Sequence, residues 1–280
     1  MELFNNRRLV IATKHKKEKV IAPIVEKSLA VRCFIDPSFD TDAFGTFSGE
    51  VERTKDALET LRQKCLKAME QNNCDLAIAS EGSFGPHPTM FFAHADDELV
   101  MLIDKKNNLE IVARDISTET NFNGKLVSSH TELLDFAKST LFPSHALILK
   151  KDQNDHSFIR KGIHAEKDLL EYFDYCIKNF GKAYVETDMR AMHNPTRMKV
   201  IENTVHKLLA NIHSCCPQCK MPGFVVEDSI PGLPCELCNY PTSSTLYHKF
   251  VCDHCNNEVL LKYPNGKEVE DPTFCNFCNP

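Results

Sequence analysis

Eight of the thirteen cysteines in this 280-residue chain lie in its last 65 residues, where they form four Cys-x-x-Cys pairs. The pairs are Cys216/Cys219, Cys235/Cys238, Cys252/Cys255 and Cys275/Cys278. A gap of two residues lets both sulfur atoms of a pair point at one ion, and four thiolates satisfy zinc without leaving an open position. The spacing therefore predicts two structural, non-catalytic zinc ions within residues 214–280.

The four pairs can share the two ions in two ways. Sequential use gives two consecutive zinc ribbons, at about 214–245 and 246–280, whereas crossed use joins the first pair to the third and the second to the fourth. The apolar run 223–226 directly after the first pair is typical of a strand. On this ground we favour the sequential ribbons.

The charge of the tail limits what it can bind. Residues 214–280 contain four lysines, no arginine and eight carboxylates, and the whole chain has a formal net charge of −6. A surface that binds nucleic acid needs an excess of cations, so we expect no nucleic-acid partner. A folding clamp, or a module that docks a partner protein, fits this composition better. The sequence leaves room for a homodimer.

Upstream of the tail, residues 1–213 alternate between strand-like and helix-like segments. The expected strands are 9–12, 30–35, 75–79, 146–149 and 183–186, with a hairpin formed by 90–94 and 99–104. The expected helices are 18–29, 55–71, 131–139, 166–178 and 195–212. This alternation predicts an α/β domain with a mixed, mostly parallel sheet covered by helices on both faces, followed by a double zinc-ribbon module.

Four loops at the expected strand ends are rich in functional groups: residues 13–17, 45–53, 80–88 and 186–197. Ligands of α/β sheets bind at such ends. Candidate catalytic residues, either carboxylates for a divalent metal or histidines for acid–base chemistry, are Glu81, Asp75, Glu52, His87 and His193. Candidates for binding a phosphorylated ligand are Thr13, Lys14, Lys17, Arg53, Asp188, Arg190 and Arg197.

Each loop also has a structural alternative. The lysines of 13–17 could form a solvated loop, and the carboxylates of 45–53 could open a helix. Asp188 and Arg190 could form an internal salt bridge. Glu81 is harder to explain in this way, because a carboxylate at the end of an apolar strand needs a partner or a metal.

Residues 9–17, LVIATKHKK, resemble the first strand and phosphate loop of the inosine/xanthosine triphosphate pyrophosphatases. That family has Thr-Asn-x-x-Lys here, so Lys17 takes the lysine position and Lys14 replaces the asparagine. Residues 56–69 and 75–82 are similar to its next helix and to its Asp-x-x-x-x-x-Glu-Gly segment, whose acidic residues hold Mg²⁺. Residues 194–197, NPTR, resemble its last strand–turn–helix. This resemblance runs in order through residues 9–213.

The chain departs from that family at two places. Asp56 stands where the pyrophosphatases have a catalytic glutamate, and residues 45–53 have no counterpart. The whole chain is more similar to an uncharacterised bacterial family with a Cys-rich tail, through residues 81–85 (EGSFG), 186–190 (ETDMR) and 232–235 (GLPC).

Two functions follow as expectations. The first is Mg²⁺- or Mn²⁺-dependent hydrolysis of a nucleotide or another phosphorylated small molecule. The second is a non-catalytic nucleotide sensor or protein adaptor, with the zinc ribbons binding the partner. We expect a cytoplasmic protein without membrane association, because no apolar run is long enough for a signal peptide or a span. The other five cysteines are scattered, which is typical of thiols in a reducing compartment.

Overall fold

The computed structural model describes residues 2–41 and 56–280. The chain separates into two compact units, Met1–Leu209 and Ala210–Pro280. Within the described residues, no helix combines the length and apolar character needed to cross a membrane. The mixed α/β fold expected from the sequence is confirmed.

The first unit contains two sheets and the helices that cover them. Its strands are β1 (Arg8–Ala12), β2 (Arg32–Phe34), β3 (Leu76–Pro86), β4 (His94–Asp104), β5 (Leu109–Ser117), β6 (Gly124–Val127), β7 (Leu147–Asp152), β8 (Asp155–Ile163) and β9 (Ala183–Thr187). Its helices are α1 (Glu18–Leu29), α2 (Ala57–Gln71), α3 (His130–Ser139), α4 (Glu166–Phe180) and α5 (Pro195–His213), the last of which crosses into the second unit.

The first sheet has the strand order β2–β1–β3–β4–β5. Strand β1 pairs in parallel with β2 and β3, but β3, β4 and β5 pair antiparallel. The expectation of a mostly parallel sheet is therefore wrong in its proportions, because short loops rather than helical crossovers connect β3 to β4 and β4 to β5. Four consecutive residues of β1 are buried, so this strand is covered on both faces.

Strand β4 replaces the hairpin expected around residues 90–104. It runs unbroken from His94 to Asp104 and pairs with β3 along its whole length. The expected hairpin left Asp96, Asp97 and Glu98 between its two strands, and carboxylates are indeed rare inside strands. Here Arg114 pairs with Asp97 and Arg197 pairs with Glu98, which offsets the cost of placing these carboxylates in a strand.

The second sheet has the order β6–β9–β7–β8, and all its pairs are antiparallel. One face packs in a hydrophobic core that includes Leu147, Leu149 and Val185 together with residues of α3 and α4. The cross-strand neighbours on the other face include Lys150 opposite Tyr184. This division of apolar and polar side chains is usual for an antiparallel sheet with one face turned away from the core.

The second unit is built on a three-stranded antiparallel sheet of β10 (Val226–Pro231), β11 (Thr245–Val251) and β12 (Glu258–Lys262). Its small hydrophobic cluster joins cysteines to two stacked phenylalanines, Phe224 and Phe250. A core this small needs metal ions to hold the fold, which agrees with the cysteine content.

Candidate functional site

A pair of carboxylates on β4 forms the centre of the candidate site. Asp96 and Glu98 are two residues apart, so both side chains lie on the same face of the strand. Across the sheet, Phe84 lies opposite Asp96 and Gly82 lies opposite Glu98. Asp96 is 1% exposed and Glu98 is 0% exposed. Two carboxyl groups removed from water in this way require compensating charges or donors.

Arg197, in the first turn of α5, compensates Glu98. Its Nε donates to Glu98 Oε1 over 2.6 Å, and its Nη1 donates to the carbonyl oxygen of Met189 over 2.5 Å. Its guanidinium carbon lies 5.1 Å from the centre of the Phe84 ring. The side chains of Glu98 and Arg197 are both fully buried. Arg197 was predicted to bind phosphate, but its Nε and Nη1 groups bind acceptors within the protein.

Gly82 makes room for this ion pair. A Cβ atom at this position would overlap with the carboxylate of Glu98 and would lie 2.7 Å from Arg197 Nη2. By contrast, a Cβ at Gly85, three residues further along β3, would meet nothing within 4 Å. The glycine of the Glu81-Gly82 motif is thus explained by close approach of two charged side chains.

Lys17 adds a second cation to the cluster. It immediately precedes α1, is 6% exposed, and its Nζ donates to Ser80 Oγ over 3.0 Å. Burial, together with the positive charge of Arg197, lowers the pKa of Lys17 to about 8. The negative charges of Glu98 and Glu81 oppose this shift.

Asp96 has no hydrogen-bond partner for either carboxylate oxygen among the described residues, and the same holds for Glu98 Oε2 and Thr13 Oγ1. Burial and the neighbouring charge of Glu98 raise the pKa of Asp96 to about 8. The positive charges of Arg197 and Lys17 act in the opposite direction. Buried carboxylate oxygens without a partner are stabilised when they bind a proton, a hydrogen-bond donor or a metal ion.

The chemistry of these groups fits a hard divalent cation. Mg²⁺ and Mn²⁺ prefer carboxylate, carbonyl and water oxygens, and Mg²⁺ is usually held by one or two carboxylates plus water and substrate oxygens. Asp96 and the second oxygen of Glu98 supply this set on one strand. The described residues that form this cluster are Lys17, Ser80, Asp96, Glu98 and Arg197, and they include no histidine or cysteine that would favour a softer metal.

Glu81 lies next to this cluster but on the other side of the sheet. It is one residue out of phase with Ser80 and Gly82, and it forms a buried ion pair with Lys64 of α2. Its charge still contributes to the pKa of Lys17. Glu81 is therefore buried and partnered, as its position in the sequence suggested, and the partner is a lysine.

A cavity of about 310 Å³ adjoins the cluster. Its lining includes Phe84, whose ring also lies over Arg197, and Phe122, which stacks on Phe84 at 5.7 Å between ring centres. The polar face of the second sheet supplies the remaining wall, with Lys150 paired to Glu186 over 2.7 Å. The ring of Phe84 thus lines the cavity and also contacts Arg197 of the carboxylate cluster.

Asp188 and Arg190 line the same cavity as an internal ion pair. Arg190 Nη2 and Nε donate to Asp188 at 2.6 and 2.9 Å, and the fully buried Asp188 also accepts from the Gly162 amide. The internal salt bridge that was the structural alternative for Asp188 and Arg190 is therefore present in the fold. Glu81 and Arg190 were both expected at strand ends of one sheet, but β3 and β9 belong to different sheets, so that expectation is wrong. Their joint function stays a prediction.

Three other candidates lie away from the cluster. Asp75 directly precedes β3, six residues and about 20 Å along an extended chain from Glu81 in the middle of that strand, and it pairs with Arg7 over 2.9 Å. It therefore cannot share a metal ion with Glu81. Lys14 is exposed and pairs with Asp40. His87 lies in the β3–β4 loop, where its Nδ1 accepts hydrogen bonds from the Thr89 and Met90 amides.

His193 forms a hydrogen bond of 2.9 Å between its Nδ1 and His164 Nε2. Burial lowers the pKa of His193. It borders a surface groove together with Lys16, Lys19 and Lys199. The candidates Glu52 and Arg53, and the loop 45–53 that contains them, lie outside the described residues.

The residues missed from the sequence are Asp96, Glu98 and Lys64. The signal for the first two was their i, i+2 spacing, which continues at Val100 and Leu102. The expected hairpin hid this signal, because it placed residues 95–98 between its two strands. The signal for Lys64 was a charge on the apolar stripe of α2, between Leu61 and Cys65. Buried charges on a strand or helix face point to a polar site more directly than charges in loops do.

The eight paired cysteines of the second unit form two groups of four, Cys216/Cys219/Cys252/Cys255 and Cys235/Cys238/Cys275/Cys278. The pairing is therefore crossed, and the preference for two sequential ribbons was wrong. The sheet explains the difference, because the first and third pairs stand just before β10 and just after β11, which are hydrogen-bonded neighbours.

Both groups have the geometry of a structural zinc site. Sulfur–sulfur distances between the two pairs of a group are 3.6 and 3.7 Å in the first group and 3.7 and 3.9 Å in the second. Tetrahedral zinc with Zn–S bonds of about 2.3 Å requires about 3.8 Å. In three of the four pairs, the residue four positions after the first cysteine has a positive φ and donates its amide to that cysteine's carbonyl: Lys220, Asn239 and Asn256.

The fold and the sites define a class of protein: a mixed α/β domain with a buried carboxylate–cation cluster, joined to a metal-binding module with two four-cysteine groups. The chain belongs to a family described as a domain of unknown function (DUF6671), whose model matches residues 64–280. The matched part includes both cysteine groups and the β3–β4 cluster, but not Lys17. No curated protein matches the chain. The likeness to triphosphate pyrophosphatases stays a prediction.

Proposed function

We propose that the first unit hydrolyses a phosphorylated small molecule, such as a nucleotide, with the help of Mg²⁺ or Mn²⁺. The observation that carries this proposal is Asp96, which is 1% exposed and has neither oxygen bonded among the described residues. Such a carboxylate beside a second carboxylate is stable only when it is protonated or bound to a cation.

The residues of the cluster divide the work by their chemistry. Asp96 and Glu98 would hold the cation, which when bound polarises a phosphoryl group and acidifies a water molecule. Lys17 would neutralise phosphate oxygens, since its ammonium group donates to the hydroxyl of Ser80, whereas Arg197 donates to a carboxylate. Arg197 orients Glu98 through their 2.6 Å bond and so fixes the direction of the second oxygen.

The cavity beside Phe84 would take the part of the ligand that carries no phosphate. Its volume of about 310 Å³ lies at the lower end of the range for small-molecule sites. Each of its two ion pairs, Lys150–Glu186 and Arg190–Asp188, is neutral overall, so a neutral polar group of the ligand suits the cavity better than a further charge.

A hydrolysis screen tests the proposal directly. Nucleotides and phosphate esters should be turned over with Mg²⁺ or Mn²⁺, and the variant D96N should abolish turnover. The matched control is D97N, the same change one residue further on, where the side chain faces the other way and pairs with Arg114. D97N should retain activity.

A non-catalytic nucleotide sensor is the competing function. It predicts nucleotide binding that D96N weakens, without turnover by the unaltered protein under any metal. Absence of both binding and turnover, or equal loss in D96N and D97N, would contradict both versions of the site.

We also propose that both four-cysteine groups hold zinc and that the zinc module docks a partner protein. A cluster of exposed apolar side chains around the second group supports docking: Leu237, Tyr240, Phe274 and Phe277. The reduced state that eight thiolate ligands need is that of the cytoplasm. Retention of a partner by the unaltered chain, and its loss in an L237D variant that keeps two zinc ions, would test the docking role.

A further inference from the structure

Strand β12 is an open edge of the sheet in the second unit, and its residues are unusually apolar for an edge. The order β10–β11–β12 gives it one strand neighbour. All five of its residues are exposed, and Val259, Leu260 and Leu261 expose 38%, 49% and 49% of their surface. An apolar edge strand is a template for pairing with a further strand.

The hydrogen bonds at the ends of the β11–β12 pair show which backbone groups face this edge. The Tyr263 amide donates to the Leu246 carbonyl, and the Cys252 amide donates to the Asn257 carbonyl. Hydrogen-bonded and non-bonded pairs alternate in an antiparallel ladder, so the odd-numbered residues 257–263 bond to β11. Glu258, Leu260 and Lys262 therefore direct their N–H and C=O groups outward, where the described residues provide no backbone partner.

The sequence of this edge is complementary to itself when it is reversed. We propose that β12 pairs antiparallel with β12 of a second copy of this chain, centred on Leu260. Glu258 of each copy then lies opposite Lys262 of the other, and the two Leu260 side chains lie opposite each other. The same register makes the three outward-facing residues of each strand into hydrogen-bonded pairs.

The opposite edge of the same sheet lacks these properties. Strand β10 carries Glu227, Asp228 and Pro231, and its pairing with β11 is interrupted by two register shifts. Charges, proline and bulges are the devices that prevent edge pairing. Since β10 has all three and β12 has none in its centre, the sheet is open to a second copy on the β12 side alone.

The oligomeric state of the full, zinc-loaded chain tests this proposal by sedimentation analysis. We expect a dimer for the unaltered chain. K262E places two carboxylates opposite each other at both ends of the pair, and should weaken the dimer at least tenfold. The double variant E258K/K262E exchanges the charges and should restore it. K220E makes the same charge change at an exposed residue directly after the first Cys-x-x-Cys pair, and it should leave the dimer intact.

Zinc content identifies variants that merely unfold, since a folded unit should retain two ions per chain. L260P provides a second route, because it removes one outward N–H and leaves the ladder to β11 intact. A chain that stays monomeric at about 1 mM overturns the proposal. So does a dimer that K262E and L260P leave unchanged, because another surface would then hold it.

Discussion

Replacing Arg197 by methionine should destabilise the first unit strongly, because it leaves Glu98 buried without its cation. Arg197 is 1% exposed and gives up a 2.6 Å bond to Glu98, a 2.5 Å bond to the Met189 carbonyl and its contact with the Phe84 ring. Breaking one side of a buried ion pair costs about 3–5 kcal/mol. We expect a loss of this size in the free energy of unfolding, measured with urea at neutral pH.

The neighbouring pair on the same strand provides the control. Arg114 bonds to Asp97 through two contacts of 2.8 and 2.6 Å, but its side chain is 55% exposed. An exposed ion pair contributes about 0–1 kcal/mol, so R114M should cost no more than that. If R197M costs no more than R114M, the buried cluster does not exist in the form described, and the reasoning built on it fails.

Three further predictions concern the carboxylate cluster of the first unit and the two four-cysteine groups of the second. G82A should destabilise the protein by about 1–3 kcal/mol because its Cβ meets the Glu98–Arg197 pair, whereas G85A should be neutral in the same urea titration because nothing lies within 4 Å. In cation-free protein, the free energy of unfolding should fall as the pH rises from about 4 to about 8, because folded Asp96, with its pKa raised from 3.8 to about 8, keeps a proton that the unfolded chain releases; a slope that D96N leaves unchanged would contradict this assignment. A chain ending at residue 245 should retain no zinc by elemental analysis, because each four-cysteine group draws two ligands from beyond that point, and one retained ion would favour sequential pairing.

Local sequence patterns predicted the helices and the metal ligands well. Helix α1 has the predicted bounds, and α5 begins at Pro195 after Asn194, as expected of a proline in the first helical turn. The Cys-x-x-Cys spacing was enough to identify all eight ligands, because a two-residue gap is a local constraint. The sharing of ligands between pairs is a tertiary property, and it follows from which strands lie side by side.

The candidate site was predicted in part. Lys17 and Arg197, chosen as phosphate-binding candidates, both lie in the polar cluster, and their phosphate-binding role stays a prediction. Glu81 is buried with a partner, as its position required. Asp96 and Glu98 were missed because strand propensity disfavours carboxylates, and only the distant Arg197 makes Glu98 tolerable there. Asp75 was assigned wrongly because sequence proximity to Glu81 does not survive an extended strand, which separates them by about 20 Å.

The most direct test of the account is Mn²⁺ binding to the zinc-loaded protein, followed by electron paramagnetic resonance of the free ion. We expect one Mn²⁺ site per chain that Mg²⁺ displaces, that D96N weakens at least tenfold, equivalent to about 1.4 kcal/mol, and that D97N leaves unchanged. Metal-free D96N should be at least as stable as the unaltered protein, which separates loss of a ligand from loss of the fold. Mn²⁺ binding that is absent from the unaltered chain, or equal in D96N and D97N, would contradict the claim that Asp96 and Glu98 hold a divalent cation.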